Sequence, residues 1–275
     1  MRLKIFTVHH FMPTQWVAND IFAPFVTGMS TASNPALISD EGGDNIAHEN
    51  SYGEMRAHYY VWKNLLSDYD YVGFQHYRRN FFFDQIPAAS RDQLLTVLHR
   101  FVLQDHRLNF IDINPEAFGL YQRFFQQCDV TDIESIKGFV GRHDIIAVRP
   151  MHTLLKEQYA QGHVSADWDT LARLLPQHSR FQRIPQQFTF DLQALYVCNM
   201  FIMSAAEFNE YMTFWWEFMT AFAKEVKPHA DPYQSRVYGF ISERIFSFYL
   251  FQRRMELPTL RFAELPVITC GTMKA

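Results

Sequence analysis

Residues 71–79 are Tyr71-Val72-Gly73-Phe74-Gln75-His76-Tyr77-Arg78-Arg79, and this stretch is the clearest structural signal in the 275-residue chain. Its first half is short and apolar, which is typical of a buried strand, and Asp68-Tyr69-Asp70 before it predicts a turn. Its second half is polar and basic. We therefore predict a buried strand with a charged carboxyl end, the position at which α/β sheets bind their ligands.

The rest of the chain alternates between strand and helix patterns. Short apolar runs predict strands over residues 3–8, 144–148 and 196–203. Apolar side chains at three- and four-residue intervals predict helices over residues 54–66, 90–104, 205–224 and 235–251. Strands that alternate with helices predict an α/β fold with helices on the faces of the sheet.

Composition excludes several classes of protein. The chain is 48% hydrophobic and 20% charged, unlike a disordered protein. A formal charge of -4 argues against a general nucleic-acid-binding protein, which carries a strong basic excess. The cysteines lie far apart, so no zinc pattern or disulfide framework is visible, and a reducing cytoplasm is expected. The N-terminus does not resemble a signal peptide, and no apolar run reaches the roughly 18 residues of a membrane span.

The short motifs of several enzyme classes are absent from the sequence. It contains no Gly-x-Gly-x-x-Gly, Walker loop, Gly-x-Ser-x-Gly or His-Glu-x-x-His. This excludes the usual dinucleotide-binding proteins, NTPases, serine hydrolases and zinc proteases. Asp68 and Asp70 resemble a metal-binding pair, but they precede the predicted strand and lie at the wrong end of it for a ligand cleft. We interpret them as a turn.

The basic residues at the end of this strand are the strongest functional signal. The guanidinium groups of Arg78 and Arg79 are suited to bidentate binding of a phosphate or a carboxylate. His76 is suited to donating a hydrogen bond to a phosphate oxygen, or to acting as a base. The alternative is a salt-bridged strand terminus that binds no ligand.

Two other polar positions are candidates for binding. A loop that contains Gly42, Gly43, Asp44 and Asn45 is able to approach a ligand closely, although an ordinary turn, taken alone, explains it better. Asn199 lies in an otherwise apolar predicted strand. A buried amide needs hydrogen-bond partners, which a sugar hydroxyl or a backbone group would supply.

The last predicted helix carries Glu243 and Arg244 within an apolar run. A buried glutamate beside an arginine is either a structural ion pair or a carboxylate placed for chemistry, and the sequence favours neither. Asp231 lies where the preceding loop enters this helix. His163 and Asp167 form a weaker polar signal on another loop.

These segments, in this order, resemble the DUF4422 family. The resemblance rests on residues 43–46, 60–64, 71–79, 144–146, 199–203 and 233–244, and it spans residues 3–268. Family members look like bacterial glycosyltransferases of capsule, exopolysaccharide and lipopolysaccharide gene clusters. The resemblance implies one GT-A-like, Rossmann-like nucleotide-binding domain over residues 1–275, with a mixed central sheet flanked by helices. Residues 85–127 are expected to form an acceptor-side helical insertion.

The resemblance also implies transfer of a hexose from a nucleotide sugar to a hydroxyl of a bacterial surface polysaccharide or lipopolysaccharide precursor. The expected donor is a UDP-hexose, with a galactose-type sugar favoured, and the expected acceptor is a glycan or lipid-linked glycan. The catalytic candidates are Glu243, Asp231 and His76. The candidates for binding the nucleotide sugar are Arg78, Arg79, His76, Asp44, Asn45, Lys63, Asn199 and Arg244. The candidates on the acceptor side are His163 and Asp167.

Many GT-A enzymes hold a divalent metal with an Asp-x-Asp at the end of a central strand, whereas this chain has His76-Tyr77-Arg78 there. We expect this cationic strand end to neutralise the diphosphate without a cofactor, and a requirement for Mn²⁺ or Mg²⁺ stays open.

One alternative is a non-catalytic nucleotide- or glycan-binding assembly factor. A second is a phosphoester hydrolase that uses His76 and Asp44. The expected location is the cytoplasm, with peripheral contact at the inner face of the cell membrane.

Overall fold

The computed structural model describes residues 1–31, 34–98, 110–182, 184 and 191–271. The strands are β1 (Leu3–His9), β2 (Phe22–Val26), β3 (Ile38–Ser39), β4 (Tyr71–His76), β5 (Arg79–Phe81), β6 (Phe110–Ile113), β7 (Ile145–Val148), β8 (Met151–His152), β9 (Ala194–Leu195), β10 (Phe201–Ser204), β11 (Phe262–Leu265) and β12 (Val267–Cys270). The helices are α1 (Met55–Tyr60), α2 (Ala88–Leu98), α3 (Pro115–Gln126), α4 (Val130–Val140), α5 (Leu155–Gly162), α6 (Ser165–Leu174), α7 (Ala205–Glu225) and α8 (Val237–Glu256).

Within the described residues, ten strands form one mixed sheet. Its main path has the order β11-β7-β10-β4-β1-β2-β3, and β5, β12 and β6 extend it from β4. β1 is parallel to both β2 and β4, whereas β10 is antiparallel to both of its neighbours, β4 and β7. The predicted α/β class and the mixed central sheet flanked by helices are confirmed.

The central strands are buried on both faces, as expected for a sheet covered by helices. In β4, every residue from Val72 to His76 is buried. Gly73 lies where β4 passes between β1 and β10. A Cβ at this position would lie 2.8 Å from Cγ1 of Ile202 and 3.2 Å from Cγ1 of Ile5. The close approach of the neighbouring side chains therefore requires a glycine here.

Several predicted element boundaries differ from the structure. The strand predicted over residues 196–203 begins only at Phe201, because Cys198 and Asn199 have left-handed backbone conformations that cannot continue a strand. The helix predicted over residues 90–104 begins at Ala88 and is described as far as Leu98, and residues 99–104 lie outside the described part of the chain.

The segment 85–127 contains α2, β6 and α3. β6 pairs with β12, so this part of the segment belongs to the central sheet. Residues 99–109 lie outside the described part of the chain, and an acceptor-side role for the segment stays a prediction. Among the described residues, no helix is long and apolar enough to cross a membrane.

Candidate active site

Polar side chains meet where β1, β2 and β4 end. His10 directly follows β1, and its Nδ1 lies 3.1 Å from Oγ1 of Thr27, which directly follows β2. Arg56 of α1 donates a hydrogen bond from Nη2 to the same hydroxyl at 3.1 Å. Because β4 is parallel to β1, its last residue, His76, lies at the same edge of the sheet. This edge is where α/β sheets bind their ligands.

The turn before β10 holds two carboxylates at this edge. β10 is antiparallel to β4, so its amino end lies where β4 ends. Cys198 and Asn199 have φ angles of 72° and 48°, which are uncommon outside glycine. The backbone N–H of Cys198 donates to Oε1 of Glu243 at 2.7 Å. The side-chain amide of Asn199 donates to Oε1 of Glu54 at 2.7 Å. We call Glu54, His76, Arg79, Asn199 and Glu243 the strand-end site.

His58 fixes the backbone of this turn. Its Nε2 lies 2.9 Å from the carbonyl oxygen of Asn199, and its Nδ1 lies 3.0 Å from that of Glu54. The ring stacks on Phe74 of β4 with 3.7 Å between the ring centres. Burial lowers the pKa of His58 to about 4, so the ring is neutral at neutral pH and carries one N–H, which donates to one of these two carbonyl oxygens. The turn is thereby held against the centre of the sheet.

The two carboxyl groups of the strand-end site differ in acidity. Burial raises the pKa of Glu243, and the negative charge of Glu54 acts in the same direction. Burial also acts to raise the pKa of Glu54, but His76, the hydrogen bond from Asn199 and His10 together bring it below its ordinary value. Acid groups whose pKa values are pushed apart are typical of sites where one stays ionised and the other transfers a proton.

Arg79, rather than His76, carries positive charge at the end of β4. Burial lowers the pKa of His76 to about 3, so its ring is neutral. Nδ1 of His76 lies 3.5 Å from Nη1 of Arg79, and Nε2 has no hydrogen-bond partner among the described residues. Arg79 is half-buried and interacts electrostatically with Cys198, Glu54 and Glu243.

The predicted pair of arginines is not formed. β4 turns back into β5 through Tyr77 and Arg78, so that His76 pairs with Arg79. Arg78 is exposed, with its guanidinium carbon 5.1 Å from the ring centre of Tyr77, and it interacts electrostatically with Cys270 of β12. The two adjacent guanidinium groups face different neighbours, because successive side chains in a hairpin project in different directions. Contact between Arg78 and a nucleotide sugar stays a prediction.

Glu243 and Arg244 form an ion pair, but only the carboxylate reaches the surface. The side chain of Arg244 is 1% exposed, against 18% for Glu243. Nη1 of Arg244 donates to Oε2 of Glu243 at 2.8 Å and to the carbonyl oxygen of Phe240 at 2.9 Å, and Nη2 donates to the side chain of Gln158. Arg244 therefore positions Glu243, and its burial leaves no surface for the predicted contact with a nucleotide sugar.

The predicted residues Asp44, Asn45 and Lys63 contact residues outside the strand-end site. Asp44 accepts a hydrogen bond from the hydroxyl of Tyr59 at 3.0 Å, and the amide of Asn45 donates to the carbonyl oxygen of Gly42 at 3.0 Å. Lys63 is exposed, with Nζ 3.6 Å from the centre of the Trp62 ring. In the described part of the chain, Asp44, Asn45 and Lys63 form no hydrogen bond or ion pair with the strand-end site. Their role in binding the donor sugar stays a prediction.

The remaining predicted residues lie outside the strand-end site. Asp231 is exposed and accepts hydrogen bonds from two backbone N–H groups that follow it, at 2.9 and 2.8 Å. His163 stacks on Phe240 with 4.0 Å between the ring centres, and burial lowers its pKa to about 4. Asp167 is buried, with Oδ2 2.8 Å from Nε2 of His229. Asp231 and Asp167 thus have partners within the protein, and their catalytic and acceptor-side roles stay predictions.

Sequence reasoning did not select Glu54 and His10. Glu54 lies at the start of a helix interpreted as core, and the available signal was the run of polar residues Glu54, Arg56 and His58 at two-residue spacing. His10 follows β1 directly, so the rule on the carboxyl ends of strands would have selected it.

The end of β4 does not fit a divalent metal. Mn²⁺ and Mg²⁺ prefer oxygen ligands such as carboxylates. Residues 76–79 supply instead an imidazole, a phenol and two guanidinium groups. Within the described ranges, no group of three or more His, Cys, Asp and Glu side chains is arranged to hold a metal ion. The strand end therefore lacks the carboxylate pair of an Asp-x-Asp metal site.

Comparison with known proteins supports the resemblance inferred from the sequence. The structure of WbbM, described as a bifunctional glycosyltransferase in its apo form, has a TM-score of 0.74 and 23% sequence identity to this chain. The match covers 99% of this chain and 46% of WbbM, so the chain spans about half the length of that protein and shares its fold there. No curated protein matches the chain. A model of the DUF4422 family, a domain of unknown function, matches residues 4–254, and the chain therefore belongs to the DUF4422 family.

Proposed function

We propose that this protein is a glycosyltransferase that moves a hexose from a nucleotide sugar to a hydroxyl group of a glycan. The observation that carries the proposal is the meeting of Glu54 and Glu243 at one turn, beside Arg79 at the end of β4. The fold shared with WbbM supports the same class of reaction. A UDP-hexose, with a galactose-type sugar favoured, is the proposed donor, and a precursor of a bacterial surface glycan is the proposed acceptor.

Glu243 is the proposed general base. Burial raises its pKa, and a base is most effective when its pKa lies near the working pH. Its carboxylate takes the proton of the acceptor hydroxyl while the hydroxyl oxygen bonds to the anomeric carbon of the donor. The bond between that carbon and the diphosphate oxygen breaks, and the nucleoside diphosphate leaves. Attack opposite the leaving group inverts the configuration of the anomeric carbon.

Arg79 is the proposed group that stabilises the departing diphosphate. Negative charge develops on the phosphate oxygens as the bond breaks, and a guanidinium donates two parallel hydrogen bonds to such oxygens. The neutral ring of His76 lies beside Arg79, with Nδ1 3.5 Å from Nη1 of that residue. Glu54 stays ionised and holds Arg79 and Asn199 in place.

A panel of UDP-sugars and other nucleotide sugars tests this proposal, with release of the nucleoside diphosphate as the measurement. Wild-type protein is expected to release it from at least one donor, and Glu243→Gln is expected to lose the activity. Glu157 is exposed on α5, so Glu157→Gln is a matched control that should behave as the wild type. Binding of a nucleotide sugar without any release would instead identify a non-catalytic binding module.

A further inference from the structure

A pocket lies between the loop that follows β1 and the helix α3. Its volume is about 330 Å³, and it is lined by Thr14, Gln15, Trp16, Gly119, Gln122, Arg123 and Gln126. We call it the Trp16 pocket. None of these residues belongs to the strand-end site, and no candidate selected from the sequence lies among them.

Most polar side chains of the Trp16 pocket form no hydrogen bond or ion pair with the described part of the protein. In the part of the chain that the structure describes, the side chains of Thr14, Gln15, Trp16, Gln122 and Arg123 have no hydrogen-bond or ion-pair partner. The amide of Gln126 is the exception. It accepts from the backbone N–H of Ala18 at 2.8 Å and donates to the Ala18 carbonyl at 3.0 Å. This pair fixes the loop against α3, so the pocket is held open by the fold.

Gly119 leaves one wall of the pocket without a side chain. It lies inside α3, where glycine is less favourable than alanine. A Cβ at Gly119 would meet nothing closer than Nη1 of Arg123, at 3.6 Å, which is an ordinary contact. Packing therefore does not require a glycine, and a longer side chain at this position would fill the pocket.

The chemistry of the Trp16 pocket fits a neutral saccharide. The indole offers an apolar face on which a sugar ring packs, and the two unpartnered amides each supply donors and an acceptor for adjacent hydroxyls. The lining has one cation and no carboxylate. A phosphorylated ligand would find only Arg123 as a counter-charge.

The Trp16 pocket also lies close to the strand-end site along the chain. Six residues lead from His10, at that edge of the sheet, to Trp16, and an extended chain of this length spans at most about 22 Å. A short oligosaccharide covers that distance. We propose that the Trp16 pocket binds a sugar unit of the glycan acceptor, away from the unit that receives the hexose. This assignment rests on the proposed function.

Titration with α- and β-linked galacto- and glucotetrasaccharides, without a donor, tests the pocket. Wild-type protein is expected to bind at least one of them. Trp16→Ala removes the ring and Gly119→Met fills the pocket, and each is expected to weaken binding about tenfold or more, which corresponds to about 1.4 kcal/mol. Gln127 is exposed just beyond α3, outside the pocket, so Gln127→Ala is the matched control and should bind as the wild type.

Nucleotide-sugar hydrolysis without an acceptor separates this assignment from the proposed function, and it is expected to be equal in all four proteins. The pocket assignment is wrong if the wild type binds none of the tetrasaccharides, or if Trp16→Ala and Gly119→Met bind them unchanged. Donor consumption by the same protein preparations would then leave the transferase proposal standing. Binding that depends on Trp16, without consumption of any donor, would support the pocket and overturn the transferase.

Discussion

The side-chain amide of Asn199 donates a 2.7 Å hydrogen bond to Oε1 of Glu54, between residues 145 positions apart in the sequence. Asn199 is fully buried, and the same amide donates to the carbonyl oxygen of Gly239 at 3.2 Å. One side chain thus joins the turn before β10 to the start of α1 and to α8. The carboxylate of Glu54 and the helix that carries Glu243 are both bound to this side chain.

Asn199→Asp is expected to place a second buried carboxylate beside that of Glu54, and the two negative charges repel each other. Aspartate keeps the shape of asparagine and tolerates a left-handed backbone, so the main change is the added charge. We expect a loss of roughly 3 kcal/mol in unfolding free energy at pH 7. The like charges raise one carboxyl pKa in the folded state, so the stability lost relative to the wild-type protein should be partly recovered at pH 5. Urea unfolding at both pH values measures this, and Asn199→Ala, which adds no charge, should show no recovery.

Arg79 and Arg78 are adjacent residues with different surroundings, and they form a matched pair of variants. Arg79→Ala is expected to reduce UDP affinity and transfer by about 100-fold or more, because a preorganised donor to the diphosphate is lost. Arg78→Ala removes an exposed charge and should change both by less than about threefold. UDP titration and diphosphate release measure the effects, with circular dichroism as the control for folding. Equal losses in the two variants would contradict the separation of the two side chains.

The acidity of Glu243 predicts the pH dependence of the reaction. A base must be ionised, so kcat/KM should rise with pH until the pH exceeds the pKa of Glu243. Burial raises this pKa above its ordinary value. Glu243→Gln should remove this rise and lower kcat by about 100- to 10,000-fold, with the Kd for UDP unchanged. Initial rates between pH 4 and pH 9 in both proteins are the measurement. An unchanged acidic limb in Glu243→Gln would assign the base to another group.

His58 predicts how the stability of the fold depends on pH. Burial holds its pKa at about 4 in the folded protein, whereas its ordinary value is 6.5. Between these values the unfolded chain binds the proton and the folded protein does not. The unfolding free energy should therefore fall as the pH decreases from 6.5 to about 4, by up to about 3 kcal/mol for this group. His9, His76 and His163 act in the same direction.

Urea unfolding at pH 7.5, 5.5 and 4.5 checks this dependence. The dependence should be weaker in His58→Gln, because the side chain at position 58 no longer titrates. His152 is exposed on β8, so His152→Gln should keep the full dependence of the wild type. Equal stability of the wild-type protein at pH 7.5 and 4.5 would show that the buried rings are already protonated or that the fold relaxes around them.

Gly42 and Gly43 allow the cost of backbone conformation to be separated from the cost of a clash. Both have left-handed φ angles, of 76° and 58°. A Cβ at Gly42 meets nothing within 4 Å, whereas one at Gly43 lies 2.3 Å from Oδ1 of Asn64. Gly42→Ala should cost about 1 kcal/mol. Gly43→Ala should cost more, because Asn64 must release its hydrogen bond from the backbone N–H of Asp44. Equal unfolding midpoints would contradict this.

Much of the fold follows from local patterns. β1, β4, β7 and α7 are long or continuous apolar segments with clear ends, and their positions agree with the sequence to within about two residues. The turn at Cys198 and Asn199 does not follow, since it lies in an apolar run that continues into β10. Its left-handed backbone is stabilised by Glu54, His58 and Glu243, which are distant in sequence.

The candidate site could be predicted only in part. The rule on the carboxyl ends of strands selects His76 and Arg79, and both lie at that edge of the sheet. It cannot select Asn199, because β10 is antiparallel and presents its amino end there. Nor does a basic run show which arginine faces inward, since this is set by the hairpin between β4 and β5.

The length of the hairpin between β4 and β5 fixes the directions in which Arg78 and Arg79 project. Insertion or deletion of one residue between His76 and Arg79 would exchange the sides on which the two arginines project and shift every pairing of β5 with β12. The charge beside Glu54 can therefore be changed by substituting Arg79, but not by changing the number of residues between His76 and Arg79. The position of the Arg79 guanidinium is therefore set by the number of residues in this hairpin.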